Sequence, residues 1–219
     1  SLEKSIFNNV NFENLENCKS DMHTSQGSFN VYKSSIEMND INFKNNIDGD
    51  DAINFIDSEF KLKNIKLKNI YRDGLDLDFS HGQINNLSCD NCGNDGIDIS
   101  NTTLKIDNYT SSKTYDKGIS IGENSILDAN NINISDALIG IAVKDGSIAS
   151  LNNLRITGTE YPIASYIKKE TFGPATINIK NLNLLNNKNQ ILLEKGTYFE
   201  FDNAYTKKID NNVYKKIYP

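Results

Sequence analysis

Asp73–Ser80 reads DGLDLDFS, and Asp95–Thr102, 22 residues further on, reads DGIDISNT. The phrase returns at the same interval elsewhere: Asp51 opens DAINFIDS, Lys117 opens KGISIGEN and Ile139 opens IGIAVKDG. An earlier copy starts at Gly27 (GSFNVYKS), and later ones at Tyr161 (YPIASYIK) and Asn189 (NQILLEKG). Self-similarity at a fixed period of this length marks a solenoid, in which each repeat buries its apolar side against the next. Within a copy, apolar and polar residues alternate. In the coil from Asp95, Ile97 and Ile99 point one way and Asp98 the other, followed by Leu104 and Ile106 and then Tyr109. Period-two alternation specifies short strands with one buried face. Three such strands fill a 22-residue turn, and no ten-residue helix fits within it.

A column of amides supports the same register. Asn64, Asn86, Asn108, Asn131, Asn153 and Asn181 each precede an apolar residue, and Asp40 and Asn9 continue the series. Asn adopts left-handed backbone angles and bonds to nearby main chain. Stacked amides at a bend can also satisfy one another where bulk water is excluded. With 34 Asn in 219 residues, richness alone does not explain six aligned hits. Two segments interrupt the period and are expected to be inserted loops: Lys19–Gln26, and KKETFGPAT at Lys168–Thr176. The expected organisation is one domain over residues 1–219, with regular coils over 27–201 and a tail over 202–219 that caps the last open rung.

These coils resemble the right-handed parallel β-helix proteins of the pectate-lyase and polygalacturonase superfamily, which carry an Asn ladder between their second and third strands. The resemblance covers residues from about 27 to 200 and implies an all-β, right-handed parallel β-helix. Along successive coils the chain reads RDGLDLD, NDGIDIS, DKGISIGE and IAVK. That order is similar to the polygalacturonase series (glycoside hydrolase family 28) of N-T-D-G, G-D-D, G-H-G-I-S-I-G-S and R-I-K. The resemblance implies acid and base carboxylates at Asp73 and Asp95 and a substrate-binding Lys144. Lys117 stands where that family has His, and Ala142 where it has Arg.

The residues themselves point to a charged working face. If Leu75 and Leu77 face inward, Asp73, Asp76 and Asp78 lie on or beside the outside, with Asp95 and Asp98 one rung above Asp73 and Asp76. Rungs ~4.8 Å apart crowd these carboxylates, and a shared proton, a Ca²⁺ ion or a nearby Lys would relieve them. Asp73, Asp95 and Lys117 are therefore the candidate catalytic residues. Asp76, Asp98, Ser120 and Lys144 are candidates for substrate binding, and Asp73, Asp95 and Asp98 for Ca²⁺. A lyase or epimerase would use Lys117 as a base, which three adjacent carboxylates oppose by raising its pKa. IDGDD at Ile47–Asp51 is a second carboxylate-dense stretch, without the order of an EF-hand.

The expected function is a carbohydrate-directed module that binds or processes an acidic or cell-surface polysaccharide, as a lyase, epimerase or hydrolase if it is an enzyme. The alternative is a non-catalytic, adhesin-like scaffold. The net charge of −6 argues against a general nucleic-acid partner, and no apolar run approaches the ~20 residues of a membrane span. The expected location is extracellular, periplasmic or at the cell surface, with further domains in a longer parent chain. Of the three cysteines, Cys89 and Cys92 form C-x-x-C without the further ligands of a zinc set. They are expected to be reduced thiols near the core.

Overall fold

The computed structural model describes residues 4–20, 23–201 and 206–219. The chain is an all-β parallel solenoid of about eight turns with about 22 residues per turn. Its first face stacks Gly27–Tyr32, Asp51–Ile56, Asp73–Asp78 and Ile97–Ser100. It continues through residues 117–122 and 139–144 to Tyr161–Tyr166 and Ile191–Glu194. The register repeats the sequence period: Leu75 pairs with Ile53 and Ile97, and Asp76 with Asn54 and Asp98.

Three faces are present, but the strands of the second and third run into each other. Glu59–Ile70 and His81–Cys92 each serve both faces, turning at Asn64 and Asn86 with φ of 54° and 62°. Thr103–Gly122 and Ile126–Lys144 run on into the first face of the next coil. A single left-handed residue is enough for each bend, and Asn or Asp is the side chain that tolerates it.

Each corner has its own stitching. At the bend between the second and third faces, Asn64 Nδ2 donates to Asp40 Oδ1 (2.8 Å) and Asn86 Nδ2 to Asn64 Oδ1 (2.9 Å). Asn131, Asn153 and Asn181 continue upward from Asn108 at 3.1–3.2 Å. A second amide row, Asn45–Asn69–Asn91, turns the end of the third face. After the first face the corner is held by buried hydroxyls. The backbone N–H groups of Ser58, Ser80, Thr102 and Ser125 donate to the hydroxyls of Ser80, Thr102, Ser125 and Ser147, one rung up, at 3.0–3.2 Å. Otherwise orphaned backbone donors at a dry corner are thereby paired.

Ile53, Leu75, Ile97, Ile119, Ile141 and Ile163 form one continuous column of the interior, all fully buried. Gly96 is required beside it, because a Cβ there would lie 2.1 Å from the hydroxyl of buried Tyr109 and 2.7 Å from Gly118 O. The expectation of reduced thiols is corrected: Cys89 and Cys92 are both buried and joined in a disulfide. Asn91 between them has φ 62°, which turns two side chains of an i, i+3 pair to the same side.

Regular winding extends beyond residues 27–201. Ser5–Asn8 and Asn11–Glu13 pair with the Ser35–Lys44 strand, and Phe7, Phe12, Phe29 and Phe43 fill that end. The expected Lys19–Gln26 loop holds a short antiparallel pair, Lys19–Ser20 with His23–Thr24. The tail does not simply cap the last rung. Lys207–Asp210 adds a rung by pairing with Ile191–Glu194. The following helix, Val213–Ile217, folds back over the outside of the first face, and Val213 and Ile217 are buried against Ile139, Ala142, Ala164 and Leu192.

Candidate functional site

One outward column of the first face runs Asn54, Asp76, Asp98, Ser120, Ala142, Ala164 and Leu192, each in register with the next. Alternation fixes this column outward, because Leu75 and Leu77 take the interior positions. Asp76 and Asp98 are half-buried, whereas Asn54 and Ser120 are fully covered. Asn54 Nδ2 donates to Asp76 Oδ2 and to Asp51 Oδ2, both at 3.0 Å. Asn54 Oδ1, Asp98 Oδ1 and Ser120 Oγ are buried without a hydrogen-bond partner. Three such atoms in one column concentrate a cost that folded proteins usually avoid.

The neighbouring column holds Asp51, Asp73, Asp95 and Lys117, all buried. Their carboxylates tie rung to rung: Asp73 Oδ1 accepts from the Asp95 N–H (2.6 Å), and Asp95 Oδ1 from the Lys117 N–H (2.9 Å). Lys117 Nζ lies 3.2 and 3.3 Å from the two Asp95 oxygens and also contacts Asp116 Oδ2. Tyr218 closes this corner, with its hydroxyl donating to Asp116 Oδ1 (2.7 Å) and its ring centroid 5.6 Å from Lys117 Nζ. Lys144 approaches from the opposite side. It leans over Gly122, where a Cβ would lie 3.1 Å from Lys144 Cε, and its Nζ comes within 3.9 Å of Asp98 Oδ1.

The electrostatics follow from crowding and burial. Burial, then Asp51, Asp78 and Asp98, push the Asp76 carboxyl up to about 10. Burial, then Asp73 and Asp50, push Asp51 up to about 8. Burial lifts Asp73 to about 6 against the pull of the Asp95 N–H and Asn94. Burial raises Asp95 well above the ordinary carboxyl range despite Lys117. For Lys117, burial favours the neutral amine, but Asp95, Tyr166 and Asp116 together outweigh it and hold the ammonium. The outward side chains thus include at least one carboxyl, Asp76, that keeps its proton at neutral pH.

All seven residues singled out from the sequence lie on this one face, but in two environments. Asp73, Asp95 and Lys117 are built into the wall, while Asp76 and Asp98 remain reachable between that wall and Lys144. Asp73, Asp95 and Asp98 are strung along the rungs, and among the described residues no three His, Cys, Asp or Glu side chains are grouped as a metal ion would need. In IDGDD, Asp48 pairs with Lys19 and Asp50 with Arg72. His81 is exposed at the start of a second-face strand, away from the site. Tyr161 and Tyr166 pack under the tail helix, whereas Tyr198 is exposed on the second face. Asn54 was missed as a member of the site, although it stands 22 residues before Asp76. Tyr218, outside the repeat, carries no such signal.

Fold and site together define the chain as a parallel β-solenoid with a carboxyl-rich window on its first face. No protein-family model matches it, and no curated protein matches it either.

Proposed function

We propose that the chain is a carbohydrate-directed module of the pectate-lyase-like kind, and that its Asp76–Asp98 window takes a polysaccharide. Asp98 Oδ1 carries this reading: it is buried, makes no hydrogen bond, and has the Lys144 ammonium 3.9 Å away. The Asp98 side chain as a whole is 28% exposed, and a sugar hydroxyl at its open edge donates to the carboxylate and accepts from Lys144. A uronate carboxylate suits the Lys144 side. Asp76, holding its proton at neutral pH, supplies an acid one rung away. Rungs ~4.8 Å apart lie close to the ~5–5.5 Å carboxyl separation of retaining glycosidases. Asp76 as acid and Asp98 as base or nucleophile is therefore the pairing to test. Lys117, held as an ammonium between Asp95 and Asp116, is a positioning residue for the wall and not a base.

The test is calorimetric titration with oligogalacturonate and, as a neutral comparator, xylohexaose. The expected result is saturable binding of at least one of them, weakened tenfold or more by Asp98→Asn and by Lys144→Ala without a matching drop in melting temperature. If neither glycan binds nor raises the melting temperature, the window is part of a non-catalytic scaffold.

A further inference from the structure

The outward column of the first face is shut in both directions along the solenoid axis. Asn54, one rung below Asp76, and Ser120, one rung above Asp98, have no exposed surface. Across the strands the two sides differ. The leading side is the wall, where Asp73, Asp95 and Lys117 are 7%, 1% and 7% exposed. On the trailing side Asp78 and Ser100 are half-buried, and Phe79 and Asn101, which follow them at the corner, are exposed. Further up, this corner is occupied by the inserted loop. Asp145 Oδ1 accepts from the backbone N–H groups of Lys168 (2.7 Å) and Lys169 (2.8 Å), and Lys169 bonds Glu123. The open approach to Asp76 and Asp98 therefore crosses the Phe79–Asn101 corner.

Phe79 is out of place in that corner. The N–H groups of Lys33, Asp57, Phe79 and Asn101 donate to the carbonyls of Ile56, Asp78, Ser100 and Gly122, one rung up. All four residues are left-handed, with φ of 48°, 51°, 51° and 48°. Lys33, Asp57 and Asn101 carry polar side chains, whereas a bulky ring is unfavourable in this region of backbone space. Phe79 also leaves 58% of its surface exposed. Neither backbone geometry nor burial accounts for a phenyl group here, and strained positions of this kind gather at ligand sites.

We infer that Phe79 is a stacking platform for a pyranose ring, and that the glycan lies across the first-face strands, over Asp78 and Ser100, and not along the solenoid axis. This rests on the carbohydrate reading and adds to it a direction and a specificity-determining residue. The electron-rich face of the phenyl ring attracts the polarised C–H groups of a sugar ring. Asp98 and Lys144 bind the hydroxyl and carboxylate groups of the ring seated in the window. Phe79 touches no reacting atom.

The test is calorimetric titration of the wild type and of corner variants with hexagalacturonate and xylohexaose, alongside thermal melts. Phe79→Asn is expected to weaken binding by at least about threefold. Its melting temperature should hold or rise, because Asn accepts the left-handed corner. Phe79→Tyr, which keeps the ring, should bind within about threefold of the wild type. Tyr115→Ala, at an 81% exposed tyrosine on the leading side, should leave binding unchanged. A smaller loss for Phe79→Asn, while Asp98→Asn still weakens binding, overturns the inference and leaves the carbohydrate reading intact. So does a Phe79→Tyr variant that loses as much as Phe79→Asn. A melting temperature that falls together with the affinity in Phe79→Asn makes the ring a packing group and overturns the inference as well. Absence of wild-type binding to both glycans overturns both readings.

Discussion

Replacing Asp76 by Asn should stabilise the protein, and should do so only above mildly acidic pH. The Asp76 carboxyl is raised from 3.8 to about 10, first by burial and then by Asp51, Asp78 and Asp98. An acid whose native pKa lies above its unfolded value binds its proton more tightly when folded. That advantage is complete below pH 4 and is lost as pH climbs from the unfolded value toward the native one. Each unit is worth ~1.4 kcal/mol, so by pH 7 the cumulative loss has a ceiling of about 4 kcal/mol. Asp76 is half-open and shares its crowding with Asp51 and Asp98, which leaves roughly 1–3 kcal/mol. Asn keeps the shape and can still accept from Asn54 Nδ2 without the ionisation. Urea melts at pH 4, 7 and 9 measure the effect. The variant should match the wild type at pH 4, exceed it by about 1–3 kcal/mol at pH 7 and stay ahead at pH 9. A variant that is equally destabilised at all three values, or a wild type that gains stability from pH 5 to 9, would refute the crowded-carboxyl account.

The wall of the site gives a complementary prediction. Lys117→Ala strands Asp95 in the interior and should cost about 3–5 kcal/mol, much of it recovered by adding Asp95→Asn, as a double-mutant urea series will show. Gly96→Ala places a methyl 2.1 Å from the Tyr109 hydroxyl and should cost about 3 kcal/mol or prevent folding. Gly173→Ala, with nothing within 4 Å, should leave the melting temperature almost unchanged. Thr102→Val removes a buried acceptor of the Ser80 N–H and a donor to Leu77 O. It should cost about 1–3 kcal/mol, measurable by the same melts.

The features the sequence makes readable are those with a strict period and a residue-specific cause. The Asn64–Asn86–Asn108 column could be read because few side chains accept a left-handed bend, so the amide recurs in place. The inward positions of Leu75 and Leu77, and hence the outward positions of Asp76 and Asp98, follow from alternation alone. The hydroxyl column Ser58–Ser80–Thr102–Ser125–Ser147 has nearly the same period, but Ser and Thr are tolerated almost anywhere on an outer strand and give no contrast. The disulfide escaped because Cys89 and Cys92 point apart on a straight strand, and only the turn at Asn91 brings them together. The division of the acidic row into wall and window was also hidden. Alternation sets Asp76 outward but does not place Asp73, three residues earlier at the corner; the backbone N–H of Asp95 one coil above captures Asp73 and leaves Asp76 open. The tail helix has no repeat to reveal it, and its docking depends on apolar outer positions at Ala142 and Ala164 that look like weak spots in the pattern until their cover is seen.

The most direct measurement for the central claim is residue-resolved NMR of the 24.6 kDa chain during titration with hexagalacturonate. Saturable shifts should concentrate on Asp76, Asp98, Ser100 and Lys144, fading toward Ala164 and sparing the amide ladder at Asn64–Asn86. Shifts centred on that ladder, or spread evenly over all three faces, would contradict the assignment of the first-face carboxyls as the binding surface.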